Sequence, residues 1–230
     1  MKTIGLIGGM SWESSLEYYR LINEEVKSRL GGLHSAKCIM YSVDFQEIEH
    51  YQSMGDWESA GKALCRVARI LEKADADFIV ICTNTMHKVV NYIQENINIP
   101  ILHIADATAS RILESKINKI GLLGTRYTME QDFYKSRIEA NGIRVIVPSK
   151  EDIKRVNSVI YEELCLGKIE ESSKEYYKEV IRSLVAEGAE GIILGCTEIG
   201  LLVSEDDSEV PIFDTAKIHA FEAVNWSLRK

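Results

Sequence analysis

The apolar residues of this chain fall into two patterns, short continuous runs and longer stretches with helical spacing. The runs are four to six residues long and do not alternate with polar residues, which is typical of parallel strands covered on both faces. One run predicts a strand over residues 38–43. Stretches with apolar residues at i, i+3 and i+4 predict helices over residues 12–29, 57–73, 86–95, 127–140, 153–166, 172–187 and 215–228. Strands that alternate with helices predict an α/β fold.

Three sequence words occur twice in the same order, about 110 to 116 residues apart. The pairs are residues 2–8 with 118–124, 71–84 with 185–198, and 99–102 with 210–213. Three collinear matches predict a duplicated chain. We therefore expect two pseudo-symmetric lobes, each a mainly parallel sheet flanked by helices, with the active site in the cleft between them. The predicted lobes are residues 1–102 together with 210–230, and residues 103–209.

Composition narrows the possible partners. With 230 residues, 46% hydrophobic and 27% charged, the chain is long enough to bury a core and too apolar to be disordered. A net charge of −8 without a Lys/Arg stripe argues against nucleic acid and anionic membranes. No apolar stretch approaches a membrane span and the first residues do not resemble a signal peptide, so a cytoplasmic protein is expected. Five spaced cysteines without a C-x-x-C pair indicate neither a disulfide framework nor a metal site, which leaves a small-molecule partner.

Cys82 and Cys196 are the repeated cysteines, and each follows a predicted buried strand. Ligands of open α/β sheets bind beyond the carboxyl ends of the strands, so we expect one thiol from each lobe on opposite sides of the ligand. Inversion of a stereocentre needs such a pair, because one group removes a proton from one face and another returns a proton to the other. Each cysteine is predicted to precede a helix whose N-terminus favours the thiolate. Either cysteine alone could be a buried core thiol, which is the interpretation we prefer for Cys38, Cys65 and Cys165.

The residues around the two cysteines can hold a carboxylate. Threonine hydroxyls, an asparagine amide and backbone N–H groups all donate hydrogen bonds to an anion, including the charge that develops as an α-proton leaves. The candidate substrate-binding residues of this kind are Thr83, Asn84, Thr85, Thr125 and Thr197.

Other chemistries have weaker support. Gly8 and Gly9 lack the G-x-G-x-x-G spacing of a dinucleotide site, and no lysine stands in a pyridoxal context, so no cofactor is expected. Cys82 and His87 could form a Cys/His hydrolase pair, but neither His87 nor His103 has a counterpart in the repeat. The remaining histidines, His34, His50 and His219, are predicted at the surface or at helix ends.

Several words resemble those of the aspartate/glutamate racemase family across essentially the whole chain. They are G-L-I-G-G-M (residues 5–10), C-T-N-T-M-H (82–87) and G-C-T-E (195–198). The words at 103–108, 122–134 and 162–167 are similar to the broad-specificity amino-acid racemase branch. The resemblance implies two α/β lobes, a homodimer, and cofactor-independent racemisation of an amino acid with Cys82 and Cys196 as the two bases. It further implies that the substrate's backbone groups are held by Asn84, Thr85, Thr125 and Thr197, and that Met10 lines the same cleft.

One departure from the family's pattern bears on the substrate. Members specific for aspartate bind its side chain with an arginine after the second strand and a lysine in a later helix. Residues 43–54 contain neither Arg nor Lys, and Cys165 stands in the place of the lysine. Neutral amino acids such as homoserine, methionine or leucine are therefore the predicted substrates. Arg126 or Lys168 could substitute for the missing cations, which leaves aspartate and glutamate open.

Two other classes of function stay open. The same fold could carry out cis–trans isomerisation or decarboxylation of a diacid, although the decarboxylases of this superfamily use one cysteine. A non-enzymatic protein could be a two-lobed small-molecule binder, or a redox switch that joins Cys82 to Cys196.

Overall fold

The computed structural model describes residues 1–229, which form two compact units. The first unit comprises Met1–His103 and the segment from His219 onward, and the second comprises Ile104–Ile218. Elements of the first unit are β1 (Ile4–Gly8), α1 (Trp12–Leu30), β2 (Cys38–Ser42), α2 (Phe45–Met54), α3 (Trp57–Lys73), β3 (Phe78–Ile81), α4 (Val90–Gln94) and β4 (Ile101–Leu102). Those that follow are α5 (Ile104–Glu114), β5 (Lys119–Gly124), α6 (Arg126–Glu130), α7 (Asp132–Glu139), β6 (Arg144–Ile146), α8 (Lys150–Glu162), α9 (Glu171–Ala186), β7 (Ile192–Gly195), β8 (Ile212–Asp214) and α10 (Thr215–Leu228).

Each unit is built on a four-stranded sheet in which every pairing is parallel. The strand orders are β2-β1-β3-β4 and β6-β5-β7-β8. Gly5 of β1 aligns with Ile79 of β3, and Gly121 of β5 aligns with Ile192 of β7 in the same way. The repeated sequence words therefore correspond to one strand order used twice. The predicted α/β fold with two mainly parallel, helix-flanked sheets is confirmed.

The second unit extends further along the chain than the predicted lobe, which ends at residue 209. β8 pairs with β7, aligning Phe213 with Ile193, and so completes the second sheet as β4 completes the first. The unit ends at Ile218, and only the chain from His219 onward belongs to the first unit. There the Ser227 hydroxyl donates to the Lys2 carbonyl at 2.8 Å. The assignment of residues 210–218 to the first lobe is corrected accordingly.

Several helices have their predicted positions. Residues 57–73 and 215–228 are α3 and α10, and α1 begins at Trp12 as predicted. The Ser11 hydroxyl accepts a hydrogen bond from the Ser14 N–H at 3.3 Å, so it caps α1 as expected of a serine in this position. Within residues 1–229 no helix combines the length and the apolar composition needed to cross a membrane.

Other predicted helices differ in form. Residues 86–95 make a 3-10 helix, Thr85–Val89, followed by the short α4. Residues 127–140 make α6 and α7, which are separated at Gln131, where φ is −92° and ψ is 156°. α2, α5 and β6 were not predicted, because α2 and β6 bury few apolar residues and α5 begins directly after β4.

Each unit has its own apolar core on its sheet. In the first unit, α3 buries Leu64, Ala68 and Leu71 at helical spacing against β1 and β3. In the second, apolar side chains of β5 and β7 pack against α9, which buries Val180, Ile181 and Leu184. Fully burying a side chain of this size contributes about 1.5 to 3 kcal/mol. The cores fix the strands, and with them the residues at the strand ends.

Gly9 allows the chain to turn sharply after β1. Its φ is +92°, and a Cβ there would collide with the Val43 carbonyl oxygen and lie 2.6 Å from the Val43 nitrogen. The Gly9 N–H donates to the Ser15 hydroxyl at 2.7 Å, and that hydroxyl donates to the Ser11 carbonyl at 2.7 Å. Only glycine fits both this backbone conformation and this close approach of the chain after β2.

We expect Gly9→Ala to lower the free energy of unfolding of the first unit by about 2 to 3 kcal/mol, because it adds a collision to the backbone strain. Gly55→Ala is the matched control. Gly55 also has a positive φ, +72°, but a Cβ there meets nothing within 4 Å, so about 1 kcal/mol is expected. Urea unfolding followed by tryptophan fluorescence measures both, since Trp12, Trp57 and Trp226 all lie in the first unit. Equal losses of unfolding free energy in the two variants would show that the added Cβ of Gly9→Ala does not collide with Val43.

Candidate active site

Cys82 directly follows β3 in the first unit. Its backbone N–H donates to the Ile7 carbonyl of β1 at 2.9 Å, which continues the sheet pairing by one residue. The side chain is fully buried, and its Sγ contacts the Val80 carbonyl at 3.9 Å. Within residues 1–229 Sγ makes no hydrogen bond to His87, so the geometry does not support the Cys/His hydrolase pair.

Burial raises the pKa of the Cys82 thiol, and the nearby Cys38 thiol raises it further. The sequence pattern predicts the opposite, a thiolate favoured by a helix N-terminus. That prediction is wrong here, because only the five-residue 3-10 helix Thr85–Val89 and the short α4 follow Cys82. Few aligned peptide groups lie in so short a helix, and their dipoles do not offset removal of the thiolate from water.

The predicted substrate-binding residues of the first unit lie in the turn after Cys82. Thr83, Asn84 and Thr85 are buried there, and the Thr83 N–H donates to the Ile81 carbonyl at 2.8 Å. Met10 is also buried and belongs to the apolar core of this unit. Their contacts with a substrate stay predictions.

The equivalent turn of the second unit contains a carboxylate. Cys196 follows β7, is 8% exposed, and donates from Sγ to Oε2 of Glu198 at 3.0 Å. The Thr197 hydroxyl donates to the same oxygen at 2.8 Å. Glu198 itself is only 2% exposed, so the thiol and the carboxylate form a buried pair. The helix predicted to follow the cysteine is a three-residue 3-10 helix, Ile199–Leu201.

The pKa of the Cys196 thiol is raised well above its ordinary value. Burial is the main cause, followed by the negative charge of Glu198 and the Cys165 thiol. The predicted lowering of a cysteine pKa is therefore wrong in this unit as well. Cys165, which the sequence analysis treats as structural, lies close enough to act on the candidate catalytic thiol.

Thr125 is the N-cap of α6 at the carboxyl end of β5, the strand next to β7. Its hydroxyl accepts from the Thr128 N–H at 3.4 Å and lies 3.1 Å from the Thr128 hydroxyl. This side chain is therefore already engaged in capping a helix. Arg126 lies beside it but is exposed, with its Nε 3.8 Å from Oε2 of Glu130.

The first unit also contains a buried cluster of histidines next to the Cys82 turn. Nδ1 of His87 lies 2.8 Å from the Thr83 carbonyl, and the His87 ring centroid lies 4.5 Å from that of His103 and 5.8 Å from that of His219. His219 is fully buried inside α10, so its prediction as a surface or helix-end residue is wrong. His34 and His50 are exposed, as predicted.

Sequence reasoning missed Glu198 as a site residue. A signal was available, because Glu198 stands two residues after its cysteine at the position that Asn84 has after Cys82.

No group of three or more His, Cys, Asp or Glu side chains in residues 1–229 is placed to hold a metal ion.

The sequence of this chain is similar to those of known proteins over most of its length. The sequence model of the family "Asp/Glu/Hydantoin racemase" matches residues 7–223. The broad specificity amino-acid racemase RacX of Bacillus subtilis is 27% identical over 175 residues, which is 75% of this chain and 74% of that protein. The glutamate racemase of Syntrophus aciditrophicus is 22% identical over 193 residues, 76% of this chain and 67% of that one.

Solved structures agree with the sequence comparison. A Yersinia pestis protein provisionally classed as an Asp/Glu racemase is 57% identical with a TM-score of 0.92, and both chains are covered in full. An aspartate racemase homologue from Pyrococcus horikoshii is 36% identical with a TM-score of 0.86, again over both whole chains. Glutamate racemase from Francisella tularensis shares the fold at 18% identity, with a TM-score of 0.69 over 98% of this chain and 80% of that one.

Proposed function

Since the chain belongs to the Asp/Glu/hydantoin racemase family, we propose that it is a cofactor-independent amino-acid racemase in which Cys82 and Cys196 are the two bases. The proposal assigns one thiol to each face of the substrate's α-carbon. It also includes a homodimer as the assembly and a cytoplasmic location.

One observation carries the proposal: two sheets of the same strand order each end their third strand in a buried Cys-Thr turn. Cys82 follows β3 and Cys196 follows β7, and each turn contains hydroxyl or amide groups next to the thiol. Duplicated turns supply two groups of the same chemical kind. Racemisation requires this equivalence, because either enantiomer must be able to lose its α-proton to one group and regain a proton from the other.

The reaction balances without an oxidant or a cofactor. A thiolate takes the α-proton, so that an S–H bond forms and the electron pair of the broken C–H bond stays on the substrate. The opposite thiol then gives its proton to the other face, using that electron pair, and is left as the thiolate. Hydroxyl and amide donors at Thr83, Asn84 and Thr197 would stabilise the negative charge that develops on the substrate carboxylate.

Neutral amino acids are the proposed substrate class. Residues 43–54, which follow β2 and include α2, contain Glu47 and Glu49 but neither Arg nor Lys. Near Cys196 the structure has the Cys165 thiol. The acidic side chain of a substrate would be desolvated near these residues without gaining a charged partner, and this desolvation costs several kcal/mol of binding free energy. Arg126 and Lys168 are exposed cations, and their use for aspartate or glutamate is the alternative.

Incubation with single L-amino acids in heavy water tests the function. We expect loss of the α-proton signal by NMR and formation of the D-isomer by chiral chromatography, for homoserine, methionine or leucine and without added pyridoxal phosphate. Each amino acid is also supplied as the D-isomer, because a racemase must produce the same equilibrium mixture of enantiomers from either starting isomer.

Activity on aspartate or glutamate alone would show that the proposed substrate class is wrong, while the proposed racemisation reaction would stand. Without exchange on any amino acid the racemase proposal fails, and fumarate formation from maleate would then favour the diacid isomerase. A reversible disulfide between Cys82 and Cys196, measured by mass at cellular redox poise, would favour the switch.

A further inference from the structure

His87 binds the backbone of the turn that contains Cys82. Its Nδ1 lies 2.8 Å from the Thr83 carbonyl, and because a carbonyl oxygen only accepts, Nδ1 carries a proton and donates. The side chain of His87 is 2% exposed, so water does not compete for this hydrogen bond. The histidine therefore acts on the residue directly after the candidate catalytic cysteine.

The peptide groups on both sides of Cys82 are held by strands of the sheet. The Cys82 N–H donates to the Ile7 carbonyl at 2.9 Å, and the Thr83 N–H donates to the Ile81 carbonyl at 2.8 Å. The second bond joins residues i and i+2, so Cys82 is the central residue of a γ-turn. The next polar group along the chain is the Thr83 carbonyl, which His87 holds. The direction of the Cys82 side chain depends on this turn, and so on its support by the imidazole.

The ring of His87 is itself held by two other imidazoles. Its centroid lies 4.5 Å from that of His103 and 5.8 Å from that of His219. His219 is fixed by the Leu102 carbonyl, 3.0 Å from Nε2, and by the Tyr18 hydroxyl, 2.9 Å from Nδ1. A buried ring packed in this way keeps one rotamer, so its Nδ1 stays directed at the turn.

On the basis of the proposed racemase function, we propose that His87 is a positioning residue for Cys82, and that it holds the γ-turn so that the thiol is aligned with the substrate's α-carbon. The imidazole transfers no proton in this role and acts through the Thr83 carbonyl. Alignment is important because a misplacement of about 1 Å between reacting groups slows a reaction by up to roughly 100-fold.

The second unit has a leucine where the first has His87. The backbone N–H of Leu201 donates to the carbonyl three residues before it at 3.0 Å, as that of His87 does at 3.1 Å. The two positions therefore correspond, but a leucine side chain donates no hydrogen bond. In that unit the Cys196 carbonyl accepts from the backbone N–H of Ile199 at 3.1 Å. His87 is thus expected to affect the reaction of Cys82 more than that of Cys196.

Single-cysteine enzymes test this role. Cys196→Ser retains Cys82 and is expected to exchange the α-proton of one enantiomer in heavy water. Adding His87→Leu, which removes the donor, should slow exchange at saturating substrate roughly 10- to 100-fold and change KM little. His87→Asn is the matched variant, because its amide nitrogen takes the place of Nδ1 and can donate to the Thr83 carbonyl. It should exchange at a rate within a few-fold of its parent.

Two comparisons separate alignment from a general loss of structure. In the Cys82→Ser background, His87→Leu should slow the Cys196-dependent exchange of the opposite enantiomer several-fold less. Val90→Ala shortens a buried side chain in the core of the first unit, at the start of α4, and should leave the rate and KM of Cys82-dependent exchange unchanged.

Equal slowing by His87→Leu in both backgrounds, or a rate for His87→Asn as low as that for His87→Leu, would overturn the role of His87. A change confined to KM would overturn it too, since it would show weaker binding and not misalignment. If His87→Leu does not fold, slowing of roughly 10-fold or more by His87→Asn would be the contrary result. Absence of exchange in the wild type would instead overturn the racemase function, and this role with it.

Discussion

Replacing Cys82 or Cys196 with serine is expected to reduce racemisation at least about 1,000-fold, because a serine hydroxyl is a far weaker acid than a thiol and supplies no base at neutral pH. The measurement is formation of the D-isomer from the L-substrate identified by the heavy-water panel. Each variant removes one sulfur atom from a buried turn and keeps a hydroxyl of similar shape, so the fold should be retained.

Proton exchange distinguishes the two variants although both lose racemisation. The remaining thiol of each can still remove an α-proton and return a deuteron to the same face, without inversion. We therefore expect Cys82→Ser to exchange one enantiomer and Cys196→Ser to exchange the other. This selectivity follows only if the thiols act on opposite faces of one α-carbon.

The control comes from another cysteine. Cys65 is buried in α3, so Cys65→Ala should racemise at a rate within a few-fold of the wild type. Racemisation that survives in both Cys82→Ser and Cys196→Ser would exclude the two-thiol mechanism. If both variants exchanged the same enantiomer, assignment of one thiol to each face would fail.

The sequence predicts the duplicated α/β fold because parallel strands covered on both faces are continuous apolar runs. The words around β1, β3 and β4 recur around β5, β7 and β8, and the two sheets have the same order. Edge strand β6 leaves no such signal, because it has only three residues and none of them is fully buried. Helix ends at Gln131 and Val89 were missed for a similar reason, since apolar spacing continues across both breaks.

The sequence predicts which residues form the candidate site better than it predicts the pKa values and hydrogen bonds of those residues. The repeat identifies Cys82 and Cys196, because each cysteine follows an apolar run that predicts a strand, and both runs belong to the repeated words. Their pKa is set by burial, and a sequence does not give the depth at which a turn is buried. Glu198 is the last residue of the word G-C-T-E, but its hydrogen bond to Cys196 depends on the tight turn before the 3-10 helix Ile199–Leu201.

The buried histidine of α10 is expected to make the first unit sensitive to acid. The tautomer of His219 is fixed by its neighbours: Nε2 lies 3.0 Å from the Leu102 carbonyl and must donate, so Nδ1 accepts from the Tyr18 hydroxyl at 2.9 Å. Burial, and after it the charge of His87, lowers the pKa of His219 to about 3. The folded protein therefore holds a neutral imidazole.

The sign of the effect follows from proton linkage. An unfolded histidine has a pKa of about 6.5, so between that pH and about 3 the unfolded chain binds a proton that the folded chain does not. The free energy of unfolding is unaffected by this group above about pH 6.5 and falls as the pH decreases below it. A shift of this size corresponds to a loss of up to about 5 kcal/mol at pH 3.

Replacing His219 with glutamine tests this acid sensitivity. The amide can still donate to Leu102 but does not titrate, so we expect a loss of about 1 kcal/mol at pH 8 and a much flatter dependence between pH 6.5 and 4. Urea unfolding at several pH values measures both, with tryptophan fluorescence as the signal because Trp226 packs against Phe78 in this unit, 5.5 Å between ring centroids. His34→Gln, at an exposed position, should follow the wild type. Parallel curves for wild type and His219→Gln would show that another group causes any loss of stability in acid.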